Sequence, residues 1–294
     1  MRILPRPFGL IVADAMAVLG RTWKTLVPVS IAVFVPAALA SWAAYSIPGA
    51  LEFVEAILLE PETLAGLPAA EFWERARPFV TAAVVTMVVQ LLASVLVFLF
   101  CHRVVIASVR EQPTGRASLQ RVLRRYPVAA AATVLSAAAA FGLFLIGYTV
   151  WSIPATIVAF PNPTAEFAGT VLLFAFTGPG IWLAVSMSMV TPVASVEEKG
   201  VFASIRRSAA LVRGRWWATL GFLLVVAMLG IIAVNLIQLV AIPVTAAGGG
   251  GATPIASLLG VLAQGPIVAA MGVMFTSWYL DLRARKEVLL VAQL

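Results

Sequence analysis

Residues 79–101 read FVTAAVVTMVVQLLASVLVFLFC, a run without a charged side chain. As a helix it extends roughly 35 Å at 1.5 Å per residue, enough to cross a hydrocarbon core of roughly 30 Å. Five more charge-free stretches of that size lie near residues 26–47, 128–151, 167–195, 217–241 and 255–280. The chain of 294 residues is 62% hydrophobic and 11% charged, and its mean hydropathy is +1.01, outside the range of soluble globular domains. Barrel strands would read as roughly ten-residue alternating segments, whereas these long runs of Ala, Leu and Val predict helices. The expected fold class is therefore all-α, a polytopic membrane protein with six transmembrane helices.

The charges between the runs set an orientation. Arg2, Arg6, Arg21 and Lys24 precede the first span, and six arginines from Arg103 to Arg125 separate the second and third. Five basic residues from Lys199 to Arg215 separate the fourth and fifth, and Arg283, Arg285 and Lys286 follow the sixth. Of the 20 basic residues, 18 thus fall on one side and only Arg75 and Arg77 on the other. The positive-inside rule places both termini in the cytoplasm. The formal charge of +7 is accordingly read as a membrane-surface feature, and no nucleic-acid partner is expected. Trp23, Tyr126, Trp216, Trp217, Trp278 and Tyr279 fall at expected inner ends, where aromatic belts form; Trp182 alone lands in mid-span. The AALA ending at Ala40 resembles a signal-peptide cleavage site, but cleavage there would remove half of a repeat. Cys101 is the lone cysteine, so no intramolecular disulfide is expected.

That repeat is written as GRTWKTL at 20–26 and GRWWATL at 214–220, which share Gly, Arg, Trp, Thr and Leu at an offset of 194. The same offset aligns Phe8 with Phe202, Ile11 with Ile205 and Ala15 with Ala209. In both copies the apolar positions step by three and four, the helical period. A weaker third copy, SLQRVLRRYP at 118–127, aligns Arg125 with Arg21 and Arg215. Gly-Pro recurs inside two spans, in TGPG at 177–180 and QGP at 264–266. The expected organisation is a single membrane domain of three units, 1–110, 111–197 and 198–294. Each unit opens with a short interfacial amphipathic helix that turns at glycine into a transmembrane hairpin.

Three segments carry a family likeness: RPFGLIVADAMAVLGRTWKTLVPV near the N-terminus, EEKGVFASIRRSAALVRGRWWATLG before span five, and WYLDLRARKE after span six. Together they resemble the bacterial glycerophosphoryl diester phosphodiesterase membrane-domain family, over essentially the whole chain. The resemblance implies a six-span domain of largely undetermined function, found fused to a soluble phosphodiesterase or alone. No soluble domain follows Leu294, so the unfused form is expected and the enzymatic activity does not carry over.

The residues themselves point away from catalysis. Metal-dependent phosphodiester hydrolysis needs several histidines and carboxylates converging on an ion, and the chain has one histidine, His102, read as an interfacial, solvated or backbone-bonded imidazole. The carboxylates Asp14, Glu111, Glu197, Glu198, Asp281 and Glu287 lie among arginines, where ion pairing explains them better than acid–base work. No catalytic residue, metal site or cofactor is expected. GGGG at 248–251 lacks the lysine and strand context of a phosphate cradle and reads as a turn, and NPT at 162–164 cannot accept a glycan because proline holds its middle position.

Ionisable groups inside the membrane cost ~2.5–3.5 kcal/mol on insertion scales and mark ion-coupled transporters; none lies within the spans. Asn235, Gln238 and Gln264 do, and they either bond between helices or line a polar path. Pro179 and Pro266 break the helical ladder in mid-membrane, as a binding site or as an ordinary kink.

What remains is the cytoplasmic joint, where each unit sets arginine beside an aromatic: Arg21 with Trp23, Arg125 with Tyr126, and Arg213 and Arg215 with Trp216 and Trp217. Such joints meet membrane lipids, anionic ones in particular, or a separately encoded enzyme or membrane partner. The expected function is a non-enzymatic, lipid-associated or scaffolding membrane domain; the alternative is a transporter or permease-like subunit for a lipid-related or small solute.

Overall fold

The computed structural model describes residues 7–65, 67–109, 116–157, 163–248 and 253–287. Arg2, Arg6, Glu111, Asn162 and Gly249 to Gly251 lie outside them. Among the described residues all regular structure is helical, in ten segments. These are α1 (Phe8–Tyr45), α2 (Ala50–Leu59), α3 (Pro61–Ala65), α4 (Ala69–Val109), α5 (Arg116–Ile157), α6 (Pro163–Met187), α7 (Val190–Val196), α8 (Val201–Val212), α9 (Trp216–Gly248) and α10 (Thr253–Lys286).

Five stretches among the described residues are long and apolar enough to cross a membrane: Phe8–Tyr45, Ala70–Val109, Leu119–Thr149, Phe167–Val196 and Trp216–Ile237. The sixth expected span falls in α10, which is 34 residues long and is not among these five. Large apolar side chains stand exposed along these helices, among them Met87 on α4, Phe174 on α6 and Leu236 on α9. In water such surface is unfavourable; against lipid tails it is ordinary.

Small residues let the helices touch. α5 and α6 run antiparallel, and a Cβ on Gly180 would lie 3.2 Å from the Ala140 carbonyl oxygen, one on Gly147 2.9 Å from the Phe176 Cβ. In α6 the close-packing glycine is Gly180, after Pro179, whereas a Cβ on Gly178 would meet nothing within 4 Å; in α10 it is Gly265, where a Cβ would meet the Ser30 backbone of α1 at 3.0 Å. Close backbone approach through glycine is the usual packing device inside membranes.

The chain divides into two compact bodies. One comprises Leu19–Phe98 and Met228–Gly272. Here α2, α3 and the start of α4 close on Phe53, which meets Phe72 edge-on and Phe79 at an inclined angle, each with centroids 5.7 Å apart. Gly49 turns the chain into α2 at φ 85°, a left-handed conformation that favours glycine.

The other body comprises Met1–Val18, Leu99–Ala227 and Val273–Leu294. Its aromatic centre joins three helices: Trp278 of α10 stacks on Phe222 of α9 at 4.9 Å and 5°, and Phe8 of α1 sets its edge against both. The Trp278 indole also donates to the Thr219 hydroxyl at 3.4 Å. Trp278 and Tyr279 are therefore core residues, 3% and 0% exposed, and not members of an interfacial belt.

The three joints differ from the repeat's expectation. α1 runs unbroken through Gly20, and α5 runs unbroken through Arg125, so neither unit has a separate interfacial helix. In the first copy Ile11 and Ala15 are buried in the protein, at 4% and 1% exposure. Only the copy at 214–220 turns, at Gly214 with φ 84°. The physical reason lies at the end of α8, whose last carbonyls need partners once the helix stops. The Lys286 ammonium of α10 supplies them, donating to the carbonyls of Ala210 and Arg213, and a cation there also complements the helix dipole.

Candidate functional site

All the charged chemistry described below belongs to the body that holds α5 to α8. It begins with a break. Between α6 and α7 the helix stops at Ser188 and Met189, leaving backbone groups that a buried, apolar site must satisfy internally. Ser208 of α8 bridges the gap: its hydroxyl accepts from the Met189 amide at 3.1 Å and donates to the Ser186 carbonyl at 2.9 Å. α7 follows with all seven residues buried, tied to α5 by the Thr133 and Thr191 hydroxyls at 2.9 Å.

This pairing decides which face of α8 looks inward. Ser204, Ser208, Leu211 and Val212 are buried, whereas Phe202 is 78% exposed. The serines, four apart, were the legible signal of a hydrogen-bonding face, and the apolar stripe through Phe202 overshadowed them.

Beyond α7, residues 197–200 (EEKG) gather an ion-pair network. Glu197 receives Arg207 at 3.0 Å, Lys199 at 3.1 Å and the Tyr279 hydroxyl at 3.0 Å. Arg207 continues to Glu287, which Arg283 also holds at 3.1 Å. Partial burial works against ionisation of Glu287, yet the Arg207 and Arg283 guanidiniums hold its carboxyl below the usual range. Glu198 adopts the left-handed region at φ 53°, uncommon for glutamate, because Arg125 grips it twice: at its carbonyl (2.9 Å) and at its carboxylate (2.8 Å). That hydrogen bond, with the Arg125 and Arg103 charges, holds the Glu198 carboxyl below the usual carboxylate range. Asp281 pairs with Arg285 at 2.6 Å. Of the carboxylates expected among arginines, Glu197, Glu198, Asp281 and Glu287 are thus ion-paired, with Asp14 of α1 not counted among them.

The cations without carboxylates lie elsewhere. Arg206, Arg213 and Arg215 are exposed, and none takes part in an ion pair among the described residues. At the same elbow Trp216 and Trp217 pack edge to face at 4.7 Å. Trp216 donates its indole N–H to the Trp182 carbonyl at 3.3 Å, while Trp217 is 79% exposed. Trp182 of α6 is thereby tied to the start of α9, within the apolar stretch Phe167–Val196.

The sequence-predicted residues are distributed as follows. Arg213, Arg215, Trp216 and Trp217 share the elbow. Arg125 and Tyr126 sit on α5, but Arg125 is engaged by Glu198. Arg21 and Trp23, both exposed, belong to the other body. Asn235 is exposed and donates its amide to the Ile231 carbonyl one turn back in α9 at 2.8 Å; Gln264 is half-buried, and for Gln238 only the backbone of α9 is described. His102 is not solvated: it is fully buried, with Nδ1 2.5 Å from the Thr276 hydroxyl.

Five long apolar helices with lipid-type exposed surfaces are consistent with a multi-pass helical membrane protein. No protein-family model matches the chain, no curated protein matches it, and no solved structure matches it.

Proposed function

We propose that the protein is a non-enzymatic, lipid-associated scaffolding domain of the bacterial inner membrane. In this reading it has six spans in three units, both termini in the cytoplasm, and kinship with the glycerophosphoryl diester phosphodiesterase membrane-domain family. The observation that carries it is the division of labour among charges. Glu197, Glu198, Asp281 and Glu287 are held by arginines, which supports a load-holding framework over acid–base chemistry, while Arg206, Arg213 and Arg215 face outward with Trp217. Exposed cations beside an exposed indole suit the headgroup level of a bilayer. Arg21 and Trp23 are the corresponding contact on the other body. A transport path through α9 has less support, because the Asn235 amide is already taken up within its own helix.

Mass spectrometry of whatever copurifies with the full chain in mild detergent tests the function. Anionic phospholipid, with or without a partner enzyme, is the expected result. Phosphodiesterase activity that copurifies with the chain and vanishes on substituting one of its own carboxylates would overturn the reading. Topology has its own test. With Cys101→Ala as background, Glu62→Cys should react with an impermeant maleimide added to intact cells, and Arg206→Cys should react only after lysis. Labelling of Arg206→Cys in sealed cells would reverse the orientation.

A further inference from the structure

The α8–α9 elbow differs from the paired cations of its body; Arg121 and Arg124 of α5 are likewise exposed, but the elbow adds the exposed rings of Phe202 and Trp217. Arg103, Arg125, Arg207 and Arg283 each have a carboxylate within ion-pairing distance. At the elbow positive charge accumulates instead. The Lys286 ammonium sits on the Arg213 carbonyl at 2.8 Å, so the cation of α10 meets the end of α8, where Arg213 and Arg215 take part in no ion pair among the described residues. Partial burial, with the Arg207 and Arg213 guanidiniums nearby, holds Lys286 below its usual range.

The backbone keeps this cluster in place. Gly214 turns at φ 84°, and Lys286 fixes the carbonyls on either side of the α8 terminus. Arg206 and Arg213 are seven residues apart, two turns on one side of α8, with Phe202 a further turn back. Arg215 follows the turn, and Trp217 begins α9. Rings 78% and 79% exposed flank guanidiniums that are free of carboxylates. Indole and phenyl rings favour the acyl boundary, and guanidinium matches phosphate with a two-pronged fork.

We propose that the elbow is a seat for the phosphate of an anionic phospholipid, gripped by Arg206, Arg213 and Arg215, with Phe202 and Trp217 against its chains. This rests on the lipid-associated reading above and names its ligand and its place. Lipid is favoured over an acidic protein segment because the two most exposed rings of α8 and α9 flank the arginines.

The test uses the full chain in nanodiscs or mild detergent, titrated with phosphatidylglycerol and phosphatidylcholine and read by native mass spectrometry. Wild type should prefer phosphatidylglycerol. The variant R206Q/R213Q/R215Q should bind it about a hundredfold more weakly at low salt, at roughly fivefold per basic residue near an anionic surface. R206K/R213K/R215K should keep most of the preference, and added salt should narrow the gap. Unchanged melting of both variants shows that the fold is intact. A wild type without preference for phosphatidylglycerol defeats the lipid-associated reading itself. A glutamine variant that keeps the wild-type preference defeats the elbow alone. If inorganic phosphate at equal concentration displaces the lipid fully, the seat belongs to the free anion, and if the glutamine variant loses a copurifying acidic protein but no lipid, it belongs to that protein; either result overturns the assignment.

Discussion

Trp278→Ala should destabilise the protein by about 3–5 kcal/mol, the range for removing a large aromatic from a packed core. Trp278 stacks flat on Phe222, takes the edge of Phe8 and is 3% exposed, so truncation opens a void that three helices line. Aromatic pairing adds ~0.5–1.5 kcal/mol per pair beyond burial. Trp278→Phe keeps most of the stacking and loses only the long 3.4 Å bond to Thr219; it should cost about 1–2 kcal/mol. The start of α1 depends on this cluster through Phe8, so Trp278→Ala should also hasten proteolysis of the N-terminal segment. Equilibrium unfolding in mixed micelles checks the energies. A loss below about 1 kcal/mol for Trp278→Ala would show that Trp278 acts at the interface, as its sequence position suggests, and not as a core residue.

That contrast shows where the sequence is legible. The helical class and the five membrane-length helices follow from charge-free runs such as 79–101, because a bilayer admits few alternatives for apolar segments of that length. Local direction is harder. Trp278 and Trp217 both sit at the cytoplasmic-type end of a helix and read alike, yet one is core and the other is 79% exposed. Nothing in a single helix tells which side its neighbours occupy. The repeated Gly-Arg behaves likewise. Glycine permits a turn without requiring one, so Gly20 continues α1 while Gly214 breaks the chain, and the difference comes from Lys286, which is remote in sequence.

The charged site was legible in kind and not in detail. Carboxylates among arginines indicate ion pairing, and Glu197, Glu198, Asp281 and Glu287 do pair. Asp281–Arg285 and Arg283–Glu287 are i,i+4 pairs that the sequence shows locally, whereas Glu197 and Glu198 draw arginines from α4, α5 and α8, at separations up to 95 residues, and no local pattern specifies those. Arg125 illustrates the cost: by alignment with Arg215 it belongs to the same cationic joint, but its guanidinium is held by Glu198 and only Arg215 stays exposed. His102 was placed at the water boundary by its basic neighbour Arg103, whereas the body formed by α4 and α10 buries it beside Thr276.

Ser208→Ala isolates the device that bridges the break between α6 and α7. Its hydroxyl is the described side-chain link between the Met189 amide and the Ser186 carbonyl, at the point where α6 ends and α7 begins. Both groups lie in a buried region where water does not replace a lost bond, and each buried group left unsatisfied costs about 1–3 kcal/mol. The variant should therefore lose about 2–5 kcal/mol although only one oxygen is removed. Ser204 provides the control: it is equally buried on the same face of α8, but its hydroxyl makes one long bond of 3.4 Å to the Lys199 carbonyl, so Ser204→Ala should cost less than about 1 kcal/mol. Hydrogen exchange should localise the damage, with the amides of α7 exchanging faster in Ser208→Ala and near wild-type rates in Ser204→Ala. Since Glu197 and Glu198 follow α7 directly, loosening that helix should also free Arg125 and Arg207 from their carboxylates, raising the density of unpaired cations on this face. Equal stabilities for the two alanine variants would mean that the break is satisfied by the backbone alone, and that α8 is held to α7 by packing through Leu211 and Val212.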